Sequence, residues 1–167
     1  YEDLVEKESS DFKWPEFDEN TASGLCYTSG TTGNPKGVLY SHRSTVLHAL
    51  IQCFYNVGSF SPKKKILPIV PLFHANAWGI PYSAPISGTS LVFPGANLDG
   101  KSVYDLLEKY SVNSAWGVPT VWMGLLEEIS QRGGKKPDGL EEMLVGGSAA
   151  AKSLIESFEN MGVRVIH

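Results

Sequence analysis

Cysteine is scarce in this chain. Two among 167 residues, Cys26 and Cys53, are too few for a disulfide framework and too far apart for a CxxC-type site. A reduced, cytoplasmic setting follows as the expectation. Positive charge is also short: 14 Lys and Arg stand against 18 Asp and Glu, for a net charge of −4. Composition therefore gives no case for binding nucleic acid or an anionic membrane, although peripheral attachment of a longer parent protein stays open. The triplet Lys63–Lys65 follows Ser61-Pro62 and reads as a solvated loop. No apolar run has the length of a transmembrane helix, and the charged start YEDLVEKESSD is no signal peptide. Repeats and low-complexity segments are missing too. What remains is a chain with 42% hydrophobic residues, enough to bury a real core. It opens on Tyr1 and stops on the apolar run VRVIH, which reads as a piece of a longer protein.

Residues 1–22 are polar and acidic, and KWPEFDEN within them reads as an extended lead-in. Beyond them apolar runs alternate with amphipathic stretches. GLCYT (24–28) reads as a short buried strand and GVLYS (37–41) as a second. Helical spacing from His42 to about Tyr55 puts Val46, Leu47, Leu50, Ile51 and Phe54 on one face. KILPIV (65–70) is a strand weakened by Pro68, and ANAWGIPYSAPI (75–86) a buried, Pro-interrupted helix. TSLVF, SAWGV, EMLV and VRVI read as further strands. Between them lie helices over SVYDLLEKY, over Pro119 to about Gln131, and over AAKSLIESFENMG. Such alternation predicts an α/β fold with a mostly parallel sheet, and ligands at the carboxyl ends of its strands.

Two glycine-rich loops compete for a phosphate. GANLDGKS (95–102) fits the Walker pattern, with Gly95, Gly100, Lys101 and Ser102 in place. That pattern fixes only four positions, and no apolar strand ending in Asp supplies the carboxylate its metal needs. Leu98-Asp99 reads equally well as the N-cap region of the helix that follows. YTSGTTGNPKG (27–37) is richer. Thr28, Ser29, Thr31 and Thr32 bring four hydroxyls, Gly30, Gly33 and Gly37 expose backbone N–H groups, and Lys36 adds a cation. Donors with one positive charge suit a triphosphate.

YTSGTTGNPKG resembles the signature loop of the adenylate-forming superfamily, which includes acyl-CoA synthetases. PLFHANAWG (71–79) is similar to that family's second core motif in its fatty acyl-CoA synthetase form, and VGGSAA (145–150) to its glycine turn beside the nucleotide and acyl pocket. The likeness covers residues 23–167, a partial AMP-binding (adenylation) domain belonging to the large N-terminal domain of such an enzyme.

The resemblance implies activation of a carboxylic acid, of medium- or long-chain fatty type, by ATP with Mg2+, then transfer to coenzyme A. It implies that Thr28, Ser29, Gly30, Thr31, Thr32, Gly33 and Lys36 hold the β- and γ-phosphates. Thr28 would approach the metal and Lys36 would balance charge. His74 would face the acid and the α-phosphate. Ala75 and Trp78 would flank the nucleotide, with Trp78 at the acyl tunnel, while Gly146, Gly147 and Ser148 would border the adenine and the acyl chain and His167 the adenine. His42 and His48 lack metal-ligand spacing and read as structural. A short or sulfur-containing acid, a Walker-type NTPase using Gly95–Ser102 and a non-enzymatic folded module stay open as alternatives, as does a homodimeric parent. The family's Thr-Glu motif, its ribose-binding aspartate and its small C-terminal domain are not in the sequence. The segment alone is therefore expected to be inactive.

Overall fold

The computed structural model describes residues 2–28, 33–54 and 60–167. Among the described residues, seven strands fall into two sheets. β1 (Ala22–Thr28) and β2 (Lys36–Ser41) form an antiparallel hairpin. β3 (Lys65–Pro68), β4 (Ser90–Leu91), β5 (Ser114–Gly117), β6 (Glu142–Val145) and β7 (Arg164–Ile166) make a parallel sheet in the order β4-β3-β5-β6-β7. Parallel neighbours need crossover connections, and helices supply most of them here. The helices are α1 (Glu2–Val5), α2 (His42–Phe54), α4 (Ile80–Ser87), α5 (Gly100–Tyr110), α6 (Pro119–Gln131) and α7 (Lys152–Asn160). The single turn α3 (Ala75–Trp78) precedes α4. The expected α/β class with a mostly parallel sheet is what the chain adopts.

Period-two alternation along the strands assigns the two faces of the parallel sheet. Leu67, Ala115, Met143 and Val145 join Leu107, Trp122, Leu125 and Phe158 in one core under α5, α6 and α7. Ile66 and Trp116 point the other way, into a second core with Ile80, Ala84 and Phe60. Trp122 and Phe158 are fully buried. Pro119 opens α6 as expected, since its missing N–H is not needed in the first turn.

Four expectations need correction. β1 is not a buried strand: of its residues only Cys26 is buried, because the hairpin stands outside the parallel sheet. α2 turns Ala49 and Gln52 inward, and leaves Val46, Leu47, Ile51 and Phe54 exposed, Phe54 at 81%. The apolar face read from spacing is thus its outer face. Residues 75–86 are not one Pro-interrupted helix, because the break falls at Gly79 and the first turn is wound left-handed. TSLVF contributes only two strand residues, β4 being an edge strand paired on one side. The lead-in carries the four-residue helix α1 and is exposed at every described position up to Thr21.

Candidate active site

The signature loop closes the β1–β2 hairpin. Thr28 and Lys36 are the last pair in register, so their side chains leave the same face of adjacent strands at the hairpin mouth. Lys36 is accordingly the first residue of β2 rather than part of the loop, and both residues are exposed. Gly33 has φ 141 and open space around its Cα. Ser29, Gly30, Thr31 and Thr32 lie outside the described residues.

The second motif begins where β3 ends. Ile69 and Val70 are buried, and Ile69 N–H donates to the Trp116 carbonyl at 2.8 Å. The chain then surfaces, with Phe73 82% exposed and His74 exposed with extended backbone. Ala75, Asn76, Ala77 and Trp78 follow with φ of 46°, 51°, 46° and 56°, and Gly79 with 84°. A run of non-glycine residues in the left-handed region costs about 1–2 kcal/mol each, so the surroundings must hold it. They do. Ala77 N–H donates to His74 O and Gly79 N–H to Asn76 O, both at 3.0 Å. Ala77 is fully buried. The Cys26 thiol donates to Asn76 Oδ1 at 3.3 Å, and Gln52 Nε2 to Trp78 O at 2.8 Å. Asn76 is itself among the residue types that tolerate this conformation.

This turn forms one wall of a cavity of about 580 Å³. Trp78, Trp116 and Leu144 make an apolar side, and Tyr40, Thr45, His48 and Gln52 run along the α2 side. Gly146 closes one end against the Trp78 ring. Its N–H donates to Gly117 O at 3.1 Å, which fastens the tips of β5 and β6 where an α/β sheet binds ligands. Gly147 has φ 80, and a Cβ there would stand 3.1 Å from Val118 Cγ1.

Ala75, Trp78 and Gly146 therefore meet around one cavity. Thr28, Lys36, Gly33, His74, Gly147, Ser148 and His167 do not line it; His167 is exposed just beyond β7. Spacing alone missed the α2 wall. The available signal was Gln52, a polar residue in an apolar helix, together with His48 one turn before it. His48, expected to be structural, packs on Gly79 and lines the cavity.

GANLDGKS is a capped helix start. Ser102 N–H donates to Asp99 Oδ1 at 3.0 Å, and the Ser102 hydroxyl to Asp99 Oδ2 at 2.7 Å. The hydroxyl and then the N–H of Ser102 hold the Asp99 carboxyl below its ordinary value. Lys101 is exposed and pairs with Asp105 at 2.7 Å. The Ser102 hydroxyl and the Lys101 ammonium, which a Walker loop would turn to metal and phosphate, are engaged within the start of α5.

The sequence model of the AMP-binding enzyme family matches residues 1–167. The chain belongs to that family. Among curated relatives, the medium-chain-fatty-acid–CoA ligase of Ectopseudomonas oleovorans is 53% identical over 169 residues, and the 3-methylmercaptopropionyl-CoA ligase of Ruegeria lacuscaerulensis 49% over 168. Each match takes in 100% of the chain, which spans 31% of either relative's length. The o-succinylbenzoate coenzyme A synthetase of Bacillus subtilis, solved with ATP and magnesium ion, superposes with a TM-score of 0.78 at 27% identity. That match covers 98% of this chain and 33% of the other. Among the described residues, no helix is long and apolar enough to cross a membrane.

Proposed function

We propose that the intact protein is an AMP-forming acyl-CoA ligase, residues 23–167 being part of its adenylation domain. In this reading a carboxylate oxygen attacks the α-phosphorus of ATP and the bond to the β-phosphate oxygen breaks, releasing pyrophosphate. The thiol of coenzyme A, losing its proton, then attacks the acyl carbon and displaces AMP. Two anions meet in the first step, so positioning and charge neutralisation carry it. Lys36, across from Thr28 at the hairpin mouth, is the cation assigned to the leaving pyrophosphate. His74, exposed just before the left-handed turn, is assigned to orient the carboxylate.

The observation that carries the reading is the Cys26–Asn76 bond. It ties the phosphate-loop hairpin to the turn that walls the cavity, so a nucleotide and an acid can be brought together at one seam. Magnesium fits as a phosphate-borne ion. Thr28 offers a hydroxyl, and no group of three His, Cys, Asp or Glu able to hold a metal exists among the described residues. Bound there, the ion would supply charge neutralisation. Cys26 and Cys53, both free thiols, support a cytoplasmic setting.

The names of the two relatives support a carboxylic acid as substrate, and the apolar side of Trp78, Trp116 and Leu144 supports an aliphatic one. The polar α2 wall favours a second reading, a short acid carrying a heteroatom such as a thioether. In the full-length enzyme, Lys36→Ala and Thr28→Ala should each slow ATP–pyrophosphate exchange by about 100-fold or more. Unchanged exchange in both overturns the assignment of the loop.

A further inference from the structure

We infer that Gln52 is a positioning residue that sets the shape of the acyl cavity by clamping the left-handed turn under Trp78. The inference rests on the ligase reading above for its substrate, and on geometry for the rest. Gln52 is 8% exposed in the last turn of α2. Its amide is used on both sides: Oε1 accepts from the Ser83 hydroxyl of α4, and Nε2 donates to the Trp78 carbonyl at 2.8 Å. Trp78 ends a turn whose residues all prefer the opposite hand, Asn76 least so. Without the amide donor the Trp78 carbonyl loses a partner in a largely buried setting, and the turn gains reason to rewind. Rewinding would carry the indole off Gly146, which it now touches, and open that end of the cavity. Gln52 lines the cavity, but both polar atoms of its amide are engaged by Ser83 and Trp78, so the effect proposed for it runs through Trp78.

The test uses the full-length enzyme with straight-chain acids of about four to twelve carbons, measuring kcat and KM for each acid and for ATP. Gln52→Glu keeps an acceptor for Ser83 but presents oxygen to the Trp78 carbonyl. It should change the ratio of kcat/KM between the longest and shortest acids about tenfold. Should a buried carboxylate unfold that variant, Gln52→Leu lacks the donor without adding charge and carries the same expectation. Adding Ala75→Gly lowers the cost of the left-handed hand, so the double variant should move back toward the wild-type ratio. A merely space-filling Gln52 predicts no such rescue. Folded Gln52→Leu and Gln52→Glu enzymes that both keep the wild-type ratio overturn the proposal. A wild-type enzyme that adenylates none of the acids overturns the ligase reading instead. Hydrogen exchange at the Ala77 and Gly79 amides then judges the clamp alone: about tenfold faster exchange in Gln52→Leu supports it, and unchanged exchange rejects it.

Discussion

Trp78 lies with its ring edge over Gly146, so near that a Cβ on residue 146 would stand 2.8 Å from the indole Cη2. Glycine is required there by the neighbouring ring, and its φ is not left-handed. Gly146→Ala should push the indole toward Trp116, whose ring centroid is 6.4 Å away, and shrink the cavity between them. The expected result is an acid KM raised about tenfold, read by steady-state kinetics on the full-length enzyme.

The start of α5 makes the same demand for glycine, there against backbone. A Cβ on Gly100 would run into the Gly124 carbonyl of α6, a backbone atom that cannot swing aside. Gly100→Ala should therefore destabilise the fold by about 1–3 kcal/mol in urea unfolding. Asp99→Ala removes the cap that receives the Ser102 N–H and should cost about 1 kcal/mol. Lys101→Ala should change stability by less than about 0.5 kcal/mol and leave nucleotide affinity where it was. A large loss of ATP binding in Lys101→Ala would restore the Walker reading of this loop.

What could be read from sequence divides along a physical line. α6 was legible to the residue because Pro119 and the Gly133-Gly134 pair are local signals. The α2 face was not, because periodicity reports an apolar stripe without saying what covers it, and here Ala49 and Gln52 face α4. The left-handed turn was invisible for a related reason. Ala-Asn-Ala-Trp has ordinary helical propensity, and tertiary bonds from Cys26 and Gln52, with the burial of Ala77, help hold the other hand. At the candidate site, the motifs named Ala75, Trp78 and Gly146, whereas the α2 wall needed the fold.

Asp105 joins α5 to α6, accepting from Lys101 at 2.7 Å and from Arg132 at 2.8 Å. Those two partners, Lys101 first, hold its carboxyl below the ordinary value of 3.8. A depressed folded pKa contributes stability above the unfolded value and loses it as pH falls through the folded one. Asp105→Asn should therefore be slightly less stable than wild type at pH 6, by a few tenths of a kcal/mol for so exposed a pair. The two proteins should converge as the pH falls through the folded value, which lies below 3.8, checked by urea midpoints along an acid pH series. A gap that stays constant with pH would mean that Asp105 acts through packing and not charge.

Cys26 is the buried residue of the hairpin, and its thiol bond to Asn76 Oδ1 joins the hairpin to the cavity wall. Cys26→Val keeps a small apolar side chain but removes the donor, leaving Asn76 to lose a partner that helps fix its φ of 51. Cys26→Ser restores a donor, and a stronger one. If the bond couples the two halves of the site, Cys26→Val should slow acid-dependent ATP–pyrophosphate exchange about three- to tenfold, while Cys26→Ser stays near wild type. Packing alone predicts the reverse order, because valine suits a buried position better than serine. The ranking of the two variants, measured at saturating ATP, therefore decides between a coupling bond and a filled space.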